Sequence, residues 1–343
     1  MSKKIVVIGS GLAGTLLCNE LGKTAEVTLL EAGERDRIYF PEINYLNKRF
    51  AEVNTFCIAG GGTTNLWHNG LIPIDLRDVS SSCFKEVLNE AAPYMDKAAS
   101  KLFFKDSSFL AEYHDSISKM ELISEKIGKF DNGIDCLLYP KKYKKLTPDP
   151  SVNVRYSVSD IHFFKSGPKI KKIEYRIGEN EYAIHPDLVI ISAGSIGSPK
   201  LIKEILLDHN NLDSVPGVGL ADHPMGFVGK VKFKKDISSL MSKFALSDMG
   251  NYECRTAVRL KSDCGKFTGG AFFRPALTMD NRLSVYKFKS SLGASNGLRR
   301  LKNIFNLKIF HPDIIAEIFS HLFGFNIQSR VYNILFIAEQ KRG

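Results

Sequence analysis

The first hydrophobic positions of the chain form a short, nearly continuous apolar segment, KIVVI at residues 4–8. Such a segment is typical of a β-strand whose two faces are both buried in a parallel sheet. Glycines follow it immediately, apolar residues then recur at helical spacing over 12–21, and a second apolar segment spans 26–30. This order predicts a β-strand, an α-helix and a second, parallel β-strand.

The pattern changes three times farther along the chain. Residues 84–104 and 109–130 carry helical patterns with polar faces, whereas residues 154–192 alternate with period two and end in another buried-type strand at 188–191. After Pro224 the alternation returns in the segments 227–233, 255–260, 269–277 and 282–288. We therefore predict an α/β fold in which the chain leaves a nucleotide-binding domain, returns to it, and then builds a second domain on an antiparallel sheet.

The composition is that of an ordinary globular protein and narrows the choice of partner. A length of 343 residues suggests about two domains, and 44% hydrophobic with 24% charged residues disfavours disorder. The net charge of +10 comes from short lysine clusters with no interleaved aromatic motif, for example the lysines within residues 141–145. We interpret them as a solvated surface and expect no nucleic-acid partner, while anionic membranes and anionic substrates stay open.

Cysteine usage and the N-terminal residues indicate a reducing, cytoplasmic location. The cysteines are dispersed and form no CxxC pair, so we expect buried thiols and neither disulfides nor a metal site; they are residues 18, 57, 83, 136, 254 and 264. Residues 1–4 lead directly into the first strand, which leaves no room for a secretory signal.

One basic and apolar segment, residues 298–327, has helical spacing throughout. It contains Asp313, Glu317 and two histidines, which argue against a membrane-spanning helix. We favour core-facing or lid helices here. A helix lying on a membrane surface, and with it a peripheral membrane contact, is the alternative.

The glycines after the first strand follow the pattern Gly9-x-Gly11-x-x-Gly14 between a strand and a helix. In this context the first glycine permits a tight turn, the second lets the backbone approach a pyrophosphate, and the third lets the helix pack on the strand. Glu31 closes the second strand, where a carboxylate can accept hydrogen bonds from ribose hydroxyls and would repel a 2′-phosphate. The pattern favours NAD or FAD over NADP; the alternative is a glycine-rich turn without a ligand.

Three further segments carry glycines and small polar residues. They are AGGGTTNLWHNGLIPID at 59–75, LVIISAGSIGSPKLI at 188–202 and GVGLADHPM at 217–225. With the first glycine motif and its glutamate, these segments in this order resemble the glucose-methanol-choline (GMC) oxidoreductase family, over residues 4–225. The resemblance implies a Rossmann-like FAD-binding domain and a second α+β substrate domain built on an antiparallel sheet.

The resemblance also assigns a set of cofactor contacts. Residues expected to line FAD are Gly9, Gly11, Gly14, Glu31, Gly61, Gly62, Thr63, Thr64, Trp67, Asn69, Gly70, Val158, Ala193 and Gly194. The glycines of the first turn would hold the pyrophosphate, Glu31 the ribose, Val158 the adenine through its backbone, and residues 193–194 would pass the adenosine half. Residues 61–64 would follow the diphosphate and flavin side, and residues 67–70 would lie nearer the ring.

Two departures from the family concern the flavin. The position where some relatives bind flavin covalently corresponds to Leu66, which cannot form that bond, so we expect non-covalent FAD. The family's catalytic histidine lies in a C-terminal segment that finds no counterpart here, and we expect a shortened gene product or fragment. His68, within the residues 67–70 expected near the flavin ring, is a weak candidate for the general base. We favour a substrate-pocket role for it.

The predicted domains are the first part of the FAD-binding domain (1–82), a helical insertion (83–150), the second part of the FAD-binding domain (151–224), and a substrate or cap domain (225–343). The predicted function is an FAD-dependent oxidoreductase that transfers hydride from the CH–OH group of a small alcohol or sugar-like donor to flavin. The alternatives are a truncated, catalytically silent flavin-binding protein, one part of a split enzyme, and an NAD-linked Rossmann enzyme. The last would not need the GGTT and SAG-x-x-GSP segments.

Overall fold

A computed structural model describes most of the chain. The residues it describes are 2–41, 56–67, 69–74, 76, 79, 81–102, 104, 108–141, 145–206, 216–217, 223–263, 267–282, 285, 288, 307–323 and 329–340. The chain divides into two compact units: unit 1 comprises residues 1–68 and 143–220, and unit 2 comprises residues 69–142 and 221–343. The predicted combination of a parallel sheet with antiparallel sheets in a mixed α/β protein is confirmed.

Unit 1 is built on a four-stranded parallel sheet. Its strands are β1 (Lys4–Ile8), β2 (Glu26–Leu30), β4 (Asn153–Arg155) and β8 (Leu188–Ile191), in the order β4-β2-β1-β8. Helix α1 (Leu12–Leu21) connects β1 to β2, and helix α5 (Gly194–Leu206) follows β8. Strand β1 therefore lies where the chain turns from one side of the sheet to the other, and ligands of open α/β sheets bind beyond the carboxyl ends of strands at such a point.

The continuous hydrophobicity of β1 follows from burial on both faces. On one face Ile5 and Val7 pack with Cys18 of α1, and on the other Val6 and Ile8 pack with Ile173. Ile173 belongs to a three-stranded antiparallel sheet formed by β5 (Val158–Ser166), β6 (Lys169–Ile177) and β7 (Asn180–Ile184). The parallel sheet is thus a layer between a helix and a second sheet.

Unit 2 is built on a six-stranded antiparallel sheet. Its strands are β3 (Ile134–Pro140), β9 (Met225–Lys232), β10 (Ser247–Asp248), β11 (Tyr252–Lys261), β12 (Phe267–Ala276) and β13 (Val331–Gln340). The order is β10-β11-β12-β13-β9, and β3 pairs with β11 along residues 252–258. Residues 134–140, which the sequence pattern assigned to a helical insertion, therefore supply a strand to this sheet.

Helices cover one face of this sheet. The helices preceding β3 are α2 (Ser82–Ala91), α3 (Met95–Lys101) and α4 (Phe109–Ile127), and α6 (Ser238–Ala245) follows β9. Met120 of α4 and Phe244 of α6 are buried in one core with alternate residues of β3 and β11, such as Cys136 and Cys254. The opposite face carries a smaller apolar cluster around Ala257, Phe272 and Leu335. Cys83, predicted to be buried, is exposed at the start of α2.

A buried ion pair fixes helix α7 (Pro312–Phe323). Lys230 Nζ of β9 lies 2.5 Å from Asp313 Oδ2, and these side chains are 1% and 5% exposed. Asp313 also accepts hydrogen bonds from the backbone N–H of Leu277 and of Thr278. Charged and polar donors therefore satisfy a carboxylate that burial would otherwise destabilise.

The segment 282–288, predicted to be a strand, differs in the structure. Val285 and Phe288 are its last described residues and both are helical. They are buried together with Ile314 of α7, because a spacing of three places both on one helical face. Residues 298–306 and 324–327 of the predicted helical segment lie outside the described residues; within the described part of the chain no helix is long and apolar enough to cross a membrane.

Candidate nucleotide-binding site

The turn between β1 and α1 requires glycine at two of its three motif positions. Gly9 has φ +103°, and a Cβ there would lie 2.6 Å from the carbonyl oxygen of Ser192. A Cβ at Gly14 would lie 1.9 Å from the carbonyl oxygen of Gly9. The protein's own backbone therefore excludes side chains at both positions.

Gly11 is different, because no described residue requires a glycine there. Its φ is −59° and its ψ −179°, values that any residue adopts, and a Cβ built on it meets no atom of the described residues within 4 Å. It directly precedes α1, whose first amides and dipole favour an anion. The space beside Gly11 is therefore open at the place where a pyrophosphate would approach the backbone.

Glu31, which directly follows β2, stabilises the turn between β1 and α1 through hydrogen bonds. It is 6% exposed, and its Oε2 accepts hydrogen bonds from the Ser10 N–H and the Ser10 hydroxyl, both at 2.7 Å. Its Oε1 accepts the Gly33 N–H at 2.7 Å. A carboxylate can accept about four hydrogen bonds, so the protein leaves roughly one acceptor position on Glu31 for a ligand hydroxyl.

The second glycine segment, which begins at residue 59, packs directly on the turn between β1 and α1. Gly61 has φ +89°, and its N–H donates to the Ser10 hydroxyl oxygen at 3.0 Å. The 3-10 helix Gly62–Leu66 follows, and the Thr64 hydroxyl accepts the N–H of Leu12, the first residue of α1, at 3.0 Å. One N–H of the helix terminus is thereby already paired within the protein.

Asn65 and Lys145 hold the glycines of this segment. Asn65 Nδ2 donates to the carbonyl oxygens of Gly60 at 3.1 Å and Gly62 at 2.8 Å, and Lys145 Nζ donates to Gly60 O at 3.3 Å. A small cavity beside them, with a volume of about 10 Å³, is lined by Ser10, Leu12, Thr15, Gly61, Thr64, Lys145 and Leu146. It is far smaller than the ~300–1,000 Å³ of ordinary ligand sites and holds roughly one water molecule.

Thr63 and Cys57 form a neighbouring contact. The Cys57 N–H donates to the Thr63 hydroxyl at 3.5 Å, and the Cys57 thiol donates to the Gly62 carbonyl at 3.2 Å. Burial raises the pKa of the Cys57 thiol, although a hydrogen bond from Asn65 opposes this. Because the thiol stays protonated at neutral pH, it is a packing group and not a nucleophile.

Backbone contacts bring two later segments to the same turn. The Val158 N–H donates to the Glu31 carbonyl oxygen at 3.0 Å, and Val158 is 5% exposed. Ala193 follows β8, and its Cα lies 2.8 Å from a Cβ built on Gly9. Gly194 has φ +73° and begins α5, so its backbone conformation explains the glycine.

The residues still to be placed are those predicted to lie near the flavin ring, at positions 67–70. Trp67 is half-buried and ends the 3-10 helix through its N–H to Thr64 O at 3.0 Å. Asn69 and Gly70 belong to unit 2, where a Cβ on Gly70 would lie 2.9 Å from the Tyr139 ring. His68, the candidate base, lies outside the described residues.

Sequence reasoning did not single out Ser10, Asn65 or Lys145. Ser10 stands inside the glycine motif as its variable residue, and its role appears only once Glu31 and Gly61 approach it. Lys145 was interpreted as part of a solvated cluster. Its place two residues before Thr147, whose carbonyl accepts a hydrogen bond from Asn19 of α1, is visible only in the fold.

Comparison with known proteins identifies no family. No protein-family model matches the sequence, and no curated protein matches it. Among solved structures, the chain is similar to pyridoxine 4-oxidase from Mesorbium loti, with a TM-score of 0.48 and 12% identity over 98% of this chain and 71% of that one. At this level the similarity carries no argument about function.

Proposed function

We propose that this chain is an FAD-dependent oxidoreductase of the GMC type, which oxidises the CH–OH group of an alcohol or sugar-like donor. The observation that carries the proposal is the open space at Gly11. Of the three motif glycines it is the one at which an added Cβ would meet no atom of the described part of the chain within 4 Å, and it directly precedes α1. A phosphate group that approaches the backbone closely at this position would explain why the residue is a glycine.

The residues present fit a dinucleotide. Gly11 and the first turn of α1 would hold the pyrophosphate, and the Lys145 ammonium in the adjoining cavity would add a positive charge. Glu31 would accept a ribose hydroxyl with the acceptor position that Ser10 and Gly33 leave free. The backbone of Val158, next to Glu31, would meet the adenine.

The choice of FAD over NAD rests on two segments that a nicotinamide enzyme would not need. The GGTT segment contacts the first turn through Gly61 and Thr64, and the SAG segment contacts it through Ser192 and Ala193. Both segments thus border the same turn, where an extended ligand would run past them. Leu66 offers no nucleophile to the ring, which supports non-covalent binding.

Within this proposal the two units have separate tasks. Unit 1 would bind the dinucleotide, and the antiparallel sheet of unit 2 would bind the donor. Bound FAD would supply the acceptor for the hydride. The chain's own residues would position the cofactor and the donor, and His68 stays a prediction for the base or for a pocket residue.

The full chain, purified and incubated with excess FAD, tests the proposal. We expect about one flavin per chain after gel filtration, released unmodified on heating, and bleaching of its absorbance by an alcohol or sugar under anaerobic conditions. A chain that retains NAD but no FAD would favour the nicotinamide alternative. A flavin that binds but is not reduced by any tested donor would favour the silent flavin-binding protein.

A further inference from the structure

Two arginines lie on the side of the unit 2 sheet that faces away from helices α4 and α6. Arg255 of β11 and Arg274 of β12 lie on the same face as the cluster around Ala257 and Phe272. Ala257 is paired with Phe272. Backbone pairing of β11 with β12 ends at this pair; two residues farther along, the same register would bring Arg255 opposite Arg274, and the charge of Arg255 does lower the pKa of Arg274. Like charges at directly opposed positions destabilise a sheet unless something compensates them.

Each of the two guanidinium groups lies over an aromatic ring. The Arg255 guanidinium lies 5.0 Å from the centre of the Tyr139 ring, and that of Arg274 lies 5.9 Å from the centre of the Phe227 ring. Both arginines are half-buried. These contacts position the planar groups without using their N–H donors.

The described residues provide no counter-ion for this pair. Neither arginine has a carboxylate within 4.0 Å or a side-chain hydrogen bond in the described part of the chain, and the buried Nε of Arg255 is without a partner. Glu253, two residues before Arg255, influences Tyr139 but forms no such ion pair. Burial lowers the pKa of Arg274, and the charge of Arg255 lowers it further. The structure thus holds two partly desolvated cations close together.

We propose that Arg255 and Arg274 bind an oxyanion, a carboxylate or a phosphate, carried by the substrate. Paired guanidinium groups match the planar or tetrahedral oxygens of such anions in number and geometry. The anion site is argued from the arginine pair alone, whereas its assignment to the substrate rests on the proposed function. The donor class becomes an anionic alcohol, such as a hydroxy acid, a sugar acid or a sugar phosphate.

Within unit 2, the arginine pair lies close to residues 69 and 70, which are expected on the ring side of FAD. Leu71 exchanges two backbone hydrogen bonds with Leu138 of β3, so residues 69–71 run beside that strand. A Cβ on Gly70 would lie 2.9 Å from the same Tyr139 ring that holds Arg255. Asn69 Oδ1 is buried without a partner in the described structure. An anion at the arginines would therefore hold the rest of a donor near residues assigned to the ring side of the cofactor.

Anion binding by the full chain, measured by calorimetry without any substrate, is the direct test. Inorganic phosphate and acetate are titrated separately at constant ionic strength, with sodium chloride as the balancing salt. We expect one of them to bind, and Arg274→Gln and Arg255→Gln each to weaken it on the order of tenfold to hundredfold, the size expected for hydrogen bonds to a charged group. The stronger ligand decides between a phosphorylated and a carboxylate donor.

Arg259→Gln is the matched control, because Arg259 lies on the same strand and face but pairs with Asp135 at 3.0 Å. It removes the same charge and should leave anion affinity unchanged. Equal losses in all three variants would overturn the proposal, as would a wild-type chain that binds neither anion. If a variant fails to fold, the wild-type unfolding midpoint decides: it should rise with the bound anion and not with chloride at equal ionic strength.

Flavin content separates this inference from the proposed function. A chain that binds the anion but never FAD would leave the arginine site standing and remove the flavin assignment. In a flavin-loaded enzyme, Arg274→Gln should raise KM for an anionic donor at least tenfold while changing kcat little, and should leave an uncharged alcohol unaffected. Equal effects on both donors would overturn the assignment of the site to the substrate.

Discussion

Replacing Gly11 with alanine separates ligand binding from folding more cleanly than any other change in the nucleotide site. Among the residues that the structure describes, the added methyl group meets no atom within 4 Å, and the backbone at this position is one that alanine adopts. If a pyrophosphate approaches this backbone, the methyl group occupies its place. We expect FAD affinity to fall on the order of tenfold to hundredfold, the range for losing a charge-assisted hydrogen bond.

The expected change in the free energy of unfolding is small because two effects oppose each other. Alanine restricts the unfolded chain and so stabilises by ~0.4–1 kcal/mol. Gly11 is also the N-cap of α1, where alanine is worse than glycine by about the same amount. The net change should stay within about 1 kcal/mol, which corresponds to a midpoint shift of roughly 3 °C or less.

Gly14→Ala provides the contrast, since its Cβ would lie 1.9 Å from the Gly9 carbonyl oxygen. Such overpacking costs about 1–3 kcal/mol or more, so this variant should lose stability as well as binding. The assay is quenching of FAD fluorescence on titration with each variant, alongside thermal unfolding followed by circular dichroism. If Gly11→Ala binds FAD as the wild type does, the open space at Gly11 does not hold the pyrophosphate and the argument fails.

Three further predictions concern stability. Thr64→Val removes the acceptor for the Leu12 N–H and should lower the free energy of unfolding by ~1 kcal/mol in denaturant titrations, as loss of a helix cap does; an unchanged midpoint would contradict the role of that hydroxyl. Lys230→Met leaves the Asp313 carboxylate buried without its cation and should cost ~3–5 kcal/mol, whereas Lys230→Arg should restore part of this. Burial alone would raise the pKa of Asp313, but hydrogen bonds from Lys230 and from backbone amides lower it overall, so its stabilisation should be present above pH ~4, the unfolded value, and be lost as pH falls through the folded pKa. Asp313→Asn should flatten that part of the curve of midpoint against pH, and an unaltered curve would count against the ion pair.

The elements that sequence predicted best depend on local pattern. β1, α1 and β2 span the predicted 4–8, 12–21 and 26–30, and β8 spans the predicted 188–191. In β1 and β2 the apolar residues are contiguous because both faces are covered. The strand predicted at 282–288 was wrong at Val285 and Phe288, which are helical and are buried with Ile314 of α7.

Contacts between segments that are far apart in the chain could not be predicted from the sequence pattern. The pairing of β3 with β11 joins residues more than 100 positions apart, and nothing in the alternation of either strand specifies that partner. The same holds for Arg255 and Arg274, which two neighbouring strands of one sheet bring close enough for the charge of one to lower the pKa of the other. The glycine motif predicted where a nucleotide site would lie, whereas the contacts made by Ser10 and Lys145 depend on which loops reach that turn.

The hydroxyl of Ser10 has a consequence for local unfolding. It accepts the Gly61 N–H across 51 positions of sequence, and Thr64 reaches the Leu12 N–H across 52. The turn is therefore completed by a remote loop that can detach while the sheet beneath it remains intact. Amide hydrogen exchange at Gly61 and Leu12 should consequently slow together when a nucleotide binds, with the amides of β1 already protected in its absence.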